Sequence, residues 1–353
     1  MKHKYISFDW WWGGWNNIRM TYELVGALSY VTGRTIILPP KGYCLFLSEH
    51  NDKSTFFDMW KLLDKEAFLS QFNCIEYEDS ILTKYSSKQQ YFNEINKDIH
   101  CVLFNDEYTN WGPQEFPNKS AIVHNIENQE HFEEFTKDRK TIHQLPIDDN
   151  IIHFPRNLFG HALYHVYPPN DTAHRIIQEK IRNGVKLRPE FEGMANKLMP
   201  GDYDAIHVRR NDFKYVHTST VEKQLEELEE LINRRVRKSK PLYIATDETD
   251  LTLFNGLRKH YDITFLSDLI DSKSYTALAL DMIICSNAKT FLGSKFSTFS
   301  EYIHIMRGYK NKKDFSRHGI NYNRNKINYN KYPWEVEQYD WANPWTELYY
   351  GKI

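Results

Sequence analysis

The chain has 353 residues and a mass of 42.2 kDa, which is too long for one ordinary hydrophobic core and suits two domains. A hydrophobic fraction of 41% excludes a disordered chain, and a formal net charge of −2 excludes general attraction to nucleic acid or an anionic membrane. No apolar run approaches the ~20 residues needed to span a bilayer, and the N-terminus lacks the apolar region of a secretory signal. Because the four cysteines include no C-x-x-C pair, we expect reduced, mostly buried thiols in a cytoplasmic protein.

The chain opens with a predicted strand over residues 5–9, a loop that contains two glycines, a helix, and a second strand over residues 35–38. We expect Asn16 or Asn17 to cap the helix and Gly33 to end it. The loop holds four tryptophans, and at least one should line a cleft because they cannot all face inward. The loop is not a G-x-G-x-x-G fingerprint, so no nicotinamide or flavin is predicted.

The middle of the chain gives a weaker pattern, which indicates a helix over residues 56–72 and a strand over residues 151–155. Two prolines within residues 167–170 make a plausible hinge. We therefore predict an N-terminal domain of residues 1–170 and a C-terminal domain of residues 171–353. The tail of the second domain contains three tryptophans, which suggests that it packs back on the body.

The second half of the chain alternates apolar, strand-like runs with helical patterns. Four such alternations are typical of a parallel, doubly wound sheet, so the predicted class is α/β. The predicted strands are residues 204–208, 242–245, 263–266 and 289–292, and the clearest predicted helices are residues 219–236 and 275–285.

Polar side chains follow three strands of this second domain, at the point where each strand ends. Arg209, Arg210 and Asp212 follow the first strand, Thr246 to Glu248 the second, and Gly293 to Ser300 the last. The carboxyl ends of parallel strands meet at one edge of a sheet, where ligands of α/β proteins bind. The planar forks of two arginines suit a phosphate or diphosphate. The alternative is a surface ion pair between either arginine and Asp212.

The last of these loops also contains a predicted helix start. Thr298 and Glu301 form a capping-box pattern, so we expect the free N–H groups of a helix N-terminus there. These groups and the positive end of the helix dipole favour an anion, and the hydroxyls of Ser297 and Thr298 add donors. The alternative is an ordinary N-cap. Together with the arginines, the loop predicts that one phosphate group is held from two sides.

Other common sites are absent from the sequence. It contains no glycine-rich Walker loop, which argues against phosphoryl transfer of the P-loop kind, and no G-x-S-x-G elbow. Asp202 and Asp204 have the spacing of a metal-binding pair, but they precede the strand and so lie at the wrong end of the sheet. We interpret them as turn residues and predict no obligatory metal.

Four motifs in series resemble those of the GDP-fucose protein O-fucosyltransferase family. Gly13-Gly-Trp-Asn-Asn-Ile-Arg-Met20, which runs on to Gly33-Arg-Thr-Ile-Ile-Leu-Pro-Pro40, is similar to the N-terminal loop, helix and strand of the family. His207-Val-Arg-Arg-Asn-Asp-Phe213 is similar to its His-x-Arg-Arg-x-Asp-Phe motif. Ala245-Thr-Asp247 and Ser297-Thr-Phe-Ser300 resemble its two C-terminal motifs. The resemblance extends over roughly residues 4 to 307.

This resemblance implies a GT-B fold, in which two Rossmann-like domains face a central cleft. It also implies an inverting, metal-independent transfer of fucose from GDP-fucose to a hydroxyl of a protein or glycan. Arg209 would contact the diphosphate and stabilise charge as GDP departs, and the C-terminal domain would bind the GDP-sugar. The other residues of the nucleotide site would be His207, Arg210, Asp212, Asp247, Ser297, Thr298 and Phe299. Across the cleft, the N-terminal domain on the acceptor side would place Gly13, Gly14, Asn16, Asn17 and Arg19 near the sugar and the diphosphate.

The sequence departs from the family pattern at the position of the proposed catalytic base. Some family members have a carboxylate just before the glycine loop, where this chain has Gly13. Either Asp9 or Glu23 serves instead, or a dissociative reaction proceeds with little help from a base. Two alternative functions are a related GT-B enzyme that uses another GDP-sugar, and an inactive relative that binds a nucleotide or glycan.

Overall fold

The computed structural model describes residues 3–8, 10, 14–42, 44, 57–84, 99–101, 151–154, 171–210, 229–230, 232–271, 275–294 and 297–310. The chain divides into two compact units, the first of which runs to Lys186 while the second begins at Leu187. Each unit has a parallel β-sheet with helices packed on it, which confirms the predicted α/β class. The predicted packing of the C-terminal tail lies outside the described residues.

The first unit contains a five-stranded parallel sheet in the order β3-β2-β1-β5-β4. Its strands are β1 (Tyr5–Phe8), β2 (Thr35–Ile37), β3 (Cys74–Ile75), β4 (Ile99–Cys101) and β5 (Ile151–Phe154). Its helices are α1 (Trp15–Thr32), α2 (Lys65–Gln71) and α3 (Asp171–Gly184), with 3₁₀ turns at Met59–Lys61, Tyr77–Asp79 and Ile81–Lys84. Helix α3 packs against α1 and α2, which is why this unit extends beyond the boundary at residue 170 that the sequence predicted.

Helix α1 follows β1 and ends as predicted, because Gly33 adopts the left-handed conformation with φ of 66°. The prediction for its start is wrong. Gly14 is the N-cap, and it offers no side chain to the free N–H groups. Asn16 and Asn17 instead lie in the first turn of the helix, where the side chain of Asn16 accepts a hydrogen bond from Arg19 Nε at 3.0 Å.

The predicted helix over residues 56–72 is also wrong, because it is divided in two. Asp58 caps the 3₁₀ turn by accepting the N–H of Trp60 at 3.0 Å. Asp64 then caps α2 by accepting the N–H of Ala67 at 3.0 Å. An aspartate that caps a helix has a non-helical backbone conformation, so each of the two side chains starts a new element.

The second unit contains a four-stranded parallel sheet in the order β8-β7-β6-β9. Its strands are β6 (Asp204–Val208), β7 (Leu242–Thr246), β8 (Ile263–Phe265) and β9 (Phe291–Leu292). Its helices are α4 (Glu190–Leu198), α5 (Asn255–Arg258), α6 (Leu266–Leu269), α7 (Tyr275–Asn287) and α8 (Thr298–Tyr309), with a 3₁₀ turn at Leu251–Phe254. Residues 229–230 and 232–235 are helical, within the longer helix predicted there. The alternation of strands and helices is thus confirmed.

The strand order identifies where this second sheet opens for a ligand. The chain moves outward from β6 to β7 and β8, and then returns to place β9 on the other side of β6. Such a reversal leaves a crevice outside the carboxyl ends of the two strands on either side of it. The crevice here lies beyond Val208 and Leu292.

The amino end of β6 carries a buried aspartate that binds an arginine. Asp204 is completely buried, and its carboxylate accepts hydrogen bonds from the backbone N–H, Nε and Nη2 of Arg237 and from the N–H of Thr290. Asp202 is exposed and binds the same guanidinium and Lys240. The interpretation of both aspartates as turn residues is therefore wrong for Asp204, which is the first residue of a core strand.

The far end of α8 is held by two cations. Arg307 is buried, and its guanidinium donates to the carbonyls of Ala288 at 2.6 Å and Lys289 at 2.8 Å, just after α7. Lys310 Nζ donates to Ser286 Oγ at 3.0 Å and to Glu192 at 3.1 Å. These bonds fix the C-terminal end of α8 to α7 and α4.

Three of the four cysteines have described surroundings. Cys44 and Cys285 are buried and Cys74 is half-buried. Burial raises the pKa of Cys44 and of Cys74 to about 12, which keeps these thiols protonated and unreactive. Within the described part of the chain, no helix combines the length and the apolar character that a bilayer crossing requires.

Candidate active site

The three loops that the sequence predicts at one sheet edge do meet in the second unit. The backbone N–H of Arg209, directly after β6, donates to Ser294 Oγ after β9 at 2.8 Å. On the other side, Arg209 Nε lies 3.2 Å from Asp247 Oδ2, in the loop after β7. Arg209 therefore lies between the two neighbouring loops, at the crevice created by the reversal of strand order.

The two adjacent arginines have different environments. The side chain of Arg209 is 21% exposed, and its Nε forms an ion pair with Asp247. The side chain of Arg210 is 8% exposed, and its Nε lies 3.3 Å from Glu248 Oε2. The backbone N–H of Arg210 also donates to Asp247 Oδ1 at 2.7 Å. Asp247 thus holds the backbone of one arginine and the side chain of the other.

Glu248 completes this side of the site. Its carboxylate accepts the N–H groups of Thr249 at 2.9 Å and Asp250 at 3.1 Å, in addition to its contact with Arg210. Those backbone bonds, together with the guanidinium, lower the pKa of Glu248 below its ordinary value. Glu248 is therefore an anion that orders the loop after β7 and fixes Arg210 against it.

A closed ring of hydrogen bonds, which we call the serine ring, joins the ends of β6 and β9 through four residues. Ser294 Oγ donates to the carbonyl of His207 at 2.8 Å and accepts the N–H of Arg209 at 2.8 Å. The N–H of Ser294 donates to Ser300 Oγ at 2.8 Å, and Ser300 Oγ lies 2.6 Å from His207 Nδ1. The serine ring therefore ties the backbone on both sides of Val208 to the first turn of α8.

The imidazole of His207 is neutral in this position. It is buried, its ring stacks on Phe299 with centroids 4.6 Å apart, and it lies close to Arg209. Burial first, and the charge of Arg209 second, lower the pKa of His207 to about 3. Its role near neutral pH is consequently that of a packed hydrogen-bonding group without charge.

Helix α8 presents its N-terminus at the same edge. Its N-cap is Ser297, whose side chain accepts the N–H of Ser300 at 3.5 Å, and the helix begins at Thr298. The predicted helix start is thus confirmed, but the prediction of Thr298 as the capping residue is wrong by one position. Twelve residues of α8 align their peptide dipoles behind this end, which favours an anion there.

Gly293 allows α8 to approach β9 closely. A Cβ at this position would lie 2.6 Å from Ser300 Cβ and 2.9 Å from Ser300 Oγ. We expect Gly293→Ala to force α8 away from the strand, break the serine ring and destabilise the protein by about 1–3 kcal/mol. Thermal unfolding and turnover assays of the variant would measure both effects.

Gly193 is the matched control for that substitution. It lies in the interior of α4, and a Cβ added there meets no atom within 4 Å. Gly193→Ala should leave activity unchanged and raise stability by up to ~1 kcal/mol, because alanine favours a helix more than glycine does. Equal melting temperatures and activities for the two variants would contradict the close approach at Gly293.

The predicted site residues of the first unit gather on the first turns of α1. Arg19 is 1% exposed and forms an ion pair with Glu23, which is 2% exposed. Arg19 Nε also donates to Asn16 Oδ1, and its guanidinium lies 5.9 Å from the centroid of the Trp15 ring. Asn17 is half-buried in the same turn. Glu23 therefore supports Arg19 in the described arrangement.

Some predicted site residues fall outside this description. Asp9, Gly13 and Asp212 lie outside the described residues. Trp10 and Trp15 are buried, whereas Trp11 and Trp12 belong to the same undescribed part of the loop. Where the residues are described, no cluster of three or more His, Cys, Asp or Glu side chains forms a metal-binding group.

Sequence reasoning missed two parts of the site. The hydroxyl of Ser294 and the carboxylate of Glu248 organise the loops around Arg209. Both lie in loops that the sequence places at the sheet edge, but the sequence indicated no role for either side chain. The glycine before Ser294, directly after a strand, is the signal that could have indicated a close contact there.

The family model of GDP-fucose protein O-fucosyltransferase matches residues 5–310. The chain belongs to this family. The match starts at β1 and ends just beyond α8, so it includes both sheets and all the loops described above. Membership of the O-fucosyltransferase family, predicted from four short motifs, is confirmed. A comparison with curated protein sequences gives no match.

Solved structures of other fucosyltransferases resemble the O-fucosyltransferase described here. POFUT1 in complex with GDP is 13% identical with a TM-score of 0.51, and the match covers 87% of this chain and 95% of that chain. POFUT1 in complex with GDP-fucose is 13% identical with a TM-score of 0.52, and the match covers 86% of this chain and 94% of that chain. The fucosyltransferase NodZ from Bradyrhizobium is 14% identical with a TM-score of 0.51, covering 87% and 94%. At such identities the likeness shows the fold alone, and it confirms the predicted GT-B class.

Proposed function

We propose that this protein is an inverting fucosyltransferase that transfers fucose from GDP-fucose to a hydroxyl of a protein or glycan. The observation that carries the proposal is the placement of Arg209 beside the N-terminus of α8, at the point where the strand order of the second sheet reverses. Family membership supports the choice of donor. In the proposed complex, the second unit binds the GDP-sugar and the first unit serves the acceptor.

The chemistry of the donor explains why this arrangement suits it. As the bond from fucose to the diphosphate breaks, negative charge grows on the departing GDP. Arg209 is held at Nε by Asp247 and would donate from the rest of its fork to a diphosphate oxygen. The first turn of α8, with Ser297, Thr298 and Phe299, would receive the same diphosphate. Donors fixed in place before the charge develops stabilise the transition state most.

The same residues support the proposal that the charge of the diphosphate is balanced without a metal ion. The cationic fork of Arg209 and the dipole of α8 both oppose the negative charge of the diphosphate. We propose that they replace the divalent cation that other nucleotide-sugar enzymes use. His207 and Asp247 would line the nucleotide, while Arg210, which is buried against Glu248, would hold the loop.

We propose a supporting role for the first unit. Asn16, Asn17 and Arg19 would lie near the sugar and the diphosphate of the donor, with Gly13 and Gly14 in the preceding loop. A general base has to come within hydrogen-bond reach of the acceptor hydroxyl. Glu23 is buried in its ion pair with Arg19, so we do not assign acceptor deprotonation to it. Asp9 stays the predicted alternative, and Asp212 and the cytoplasmic location also stay predictions from the sequence.

A thermal-shift panel tests the donor. We expect GDP and GDP-fucose to raise the melting temperature, because a ligand at about 100 times its Kd stabilises a protein by ~2.7 kcal/mol. GDP-mannose, UDP and ADP serve as competitors, each with magnesium or with EDTA. Equal shifts for UDP or ADP would contradict a guanine-nucleotide site, and loss of the GDP shift in EDTA would contradict metal independence.

Turnover separates a transferase from an inactive relative. We expect the protein to release GDP from GDP-fucose in the presence of an acceptor, or slowly to water in its absence. A protein that binds GDP but never releases it from GDP-fucose would be a binding module. Release from GDP-mannose at the higher rate would identify the donor as another GDP-sugar.

A further inference from the structure

The hydroxyl of Ser294 makes two backbone contacts beyond the last paired residues of β6 and β9. It donates its one hydrogen to the carbonyl of His207 and accepts the N–H of Arg209. Both partners are backbone groups of the chain as it leaves β6, where the ladder with β9 has already ended, since its last pair is Ile206 with Leu292. The hydroxyl thus sets the path of the backbone at the residue that carries the guanidinium.

We propose that Ser294 is a positioning residue for Arg209, an inference that rests on the proposed function. The serine ring couples Ser294 to Ser300 in the first turn of α8, and through Ser300 to the imidazole of His207. Because the ring closes on itself, the position of Arg209 depends on the position of the helix N-terminus. The two groups that would bind one diphosphate are therefore linked through the hydroxyls of Ser294 and Ser300.

Asp247 holds Arg209 from the opposite side. Its carboxylate lies 3.2 Å from Arg209 Nε, and its other oxygen accepts the N–H of Arg210. Ser294 positions the backbone of Arg209, whereas Asp247 positions its side chain. Both contacts restrict the position of the guanidinium before the donor arrives, which favours the stabilisation of developing charge.

Steady-state kinetics of GDP release from GDP-fucose test this role. We expect Ser294→Ala to lower kcat on the order of 10-fold to 100-fold with a small change in KM, because a small displacement of a catalytic group costs rate before it costs binding. Ser294→Thr, which keeps the hydroxyl, should restore most of kcat. Ser29→Ala is the matched control, since it removes a buried hydroxyl that likewise donates to a backbone carbonyl, in α1 of the first unit, and should leave kcat unchanged.

A double-mutant cycle with Arg209→Ala decides between positioning and an independent effect. We expect Ser294→Ala to have no further effect once Arg209 has been removed, because residues that act as one unit are not additive. The same loss of kcat in both backgrounds, or full activity of Ser294→Ala, would overturn the inference. Full activity of Arg209→Ala would instead refute the proposed function and remove the group that Ser294 is proposed to position.

Ser300→Ala tests the coupling of Arg209 to α8 if Ser294→Ala folds poorly. It removes the hydroxyl that accepts the N–H of Ser294 and contacts His207 Nδ1. The two hydrogen bonds of the Ser294 hydroxyl, to the carbonyl of His207 and from the N–H of Arg209, stay in place. We expect a smaller fall in kcat than for Ser294→Ala, again absent in the Arg209→Ala background. An unchanged kcat for this folded variant would overturn the coupling of Arg209 to α8.

Discussion

Replacing Arg209 with alanine should lower kcat for GDP release from GDP-fucose by about 10²–10³, which corresponds to ~2.7–4 kcal/mol of transition-state stabilisation. The variant removes the cation between the loops after β7 and β9 and leaves the core unchanged. Steady-state rates at saturating GDP-fucose would measure the loss, and thermal unfolding would verify that the fold persists. Arg209→Lys should recover only part of the rate, because an ammonium cannot reproduce the planar fork.

Arg234 supplies the control for this experiment. It lies in the same unit, its side chain is 67% exposed, and its partner Glu230 is exposed as well. Arg234→Ala removes the same charge and should keep full activity. If Arg209→Ala retained full activity, or if both variants lost it equally, the proposed mechanism would be wrong.

Replacing Asp204 with alanine should destabilise the protein by about 2–6 kcal/mol, because the backbone N–H groups of Arg237 and Thr290 lose their buried acceptor at ~1–3 kcal/mol each. Asp204 is 0% exposed, and it also accepts the N–H of Thr290 just before β9. Its loss therefore leaves the N–H of Arg237, in the segment before β7, and the N–H of Thr290, just before β9, without an acceptor. Chemical denaturation monitored by tryptophan fluorescence and circular dichroism would measure the change in the free energy of unfolding.

Asp202 is the matched control for that variant, since it binds the same arginine from the solvent side. Surface ion pairs contribute little to stability, so Asp202→Ala should change the free energy of unfolding only slightly. Similar losses for the two variants would show that the charge of Arg237, and not the burial of Asp204, determines the effect.

Much of the second unit could be predicted from the sequence because its strands are short apolar runs separated by helical patterns. Parallel topology then requires that the ends of β6, β7 and β9 meet, so the contacts of Arg209 with both neighbouring loops follow from the strand order. The start of α8 was predicted to within one residue for the same reason, since Ser297 and Thr298 are both good caps.

The failures arise where a side chain finds a partner that sequence spacing does not reveal. Asp204 has the local pattern of a turn residue, but the fold places Arg237 within hydrogen-bond distance of its carboxylate. Asp58 and Asp64 each cap a new element and so interrupt an apolar pattern that is typical of one helix. Ser294 is an unremarkable loop serine until β9 places it beside the end of β6.

The double anchoring of α8 has a consequence for how tightly an anion binds. Its first turn is bound to β6 through Ser300, and its last turn is bound to α7 through Arg307 and Lys310. A helix fixed at both ends has lost its conformational freedom during folding, so a ligand does not have to order it again. The entropic penalty of association is correspondingly small. Differences in affinity between anions should then reflect the contacts they make rather than the cost of closing a loop around them.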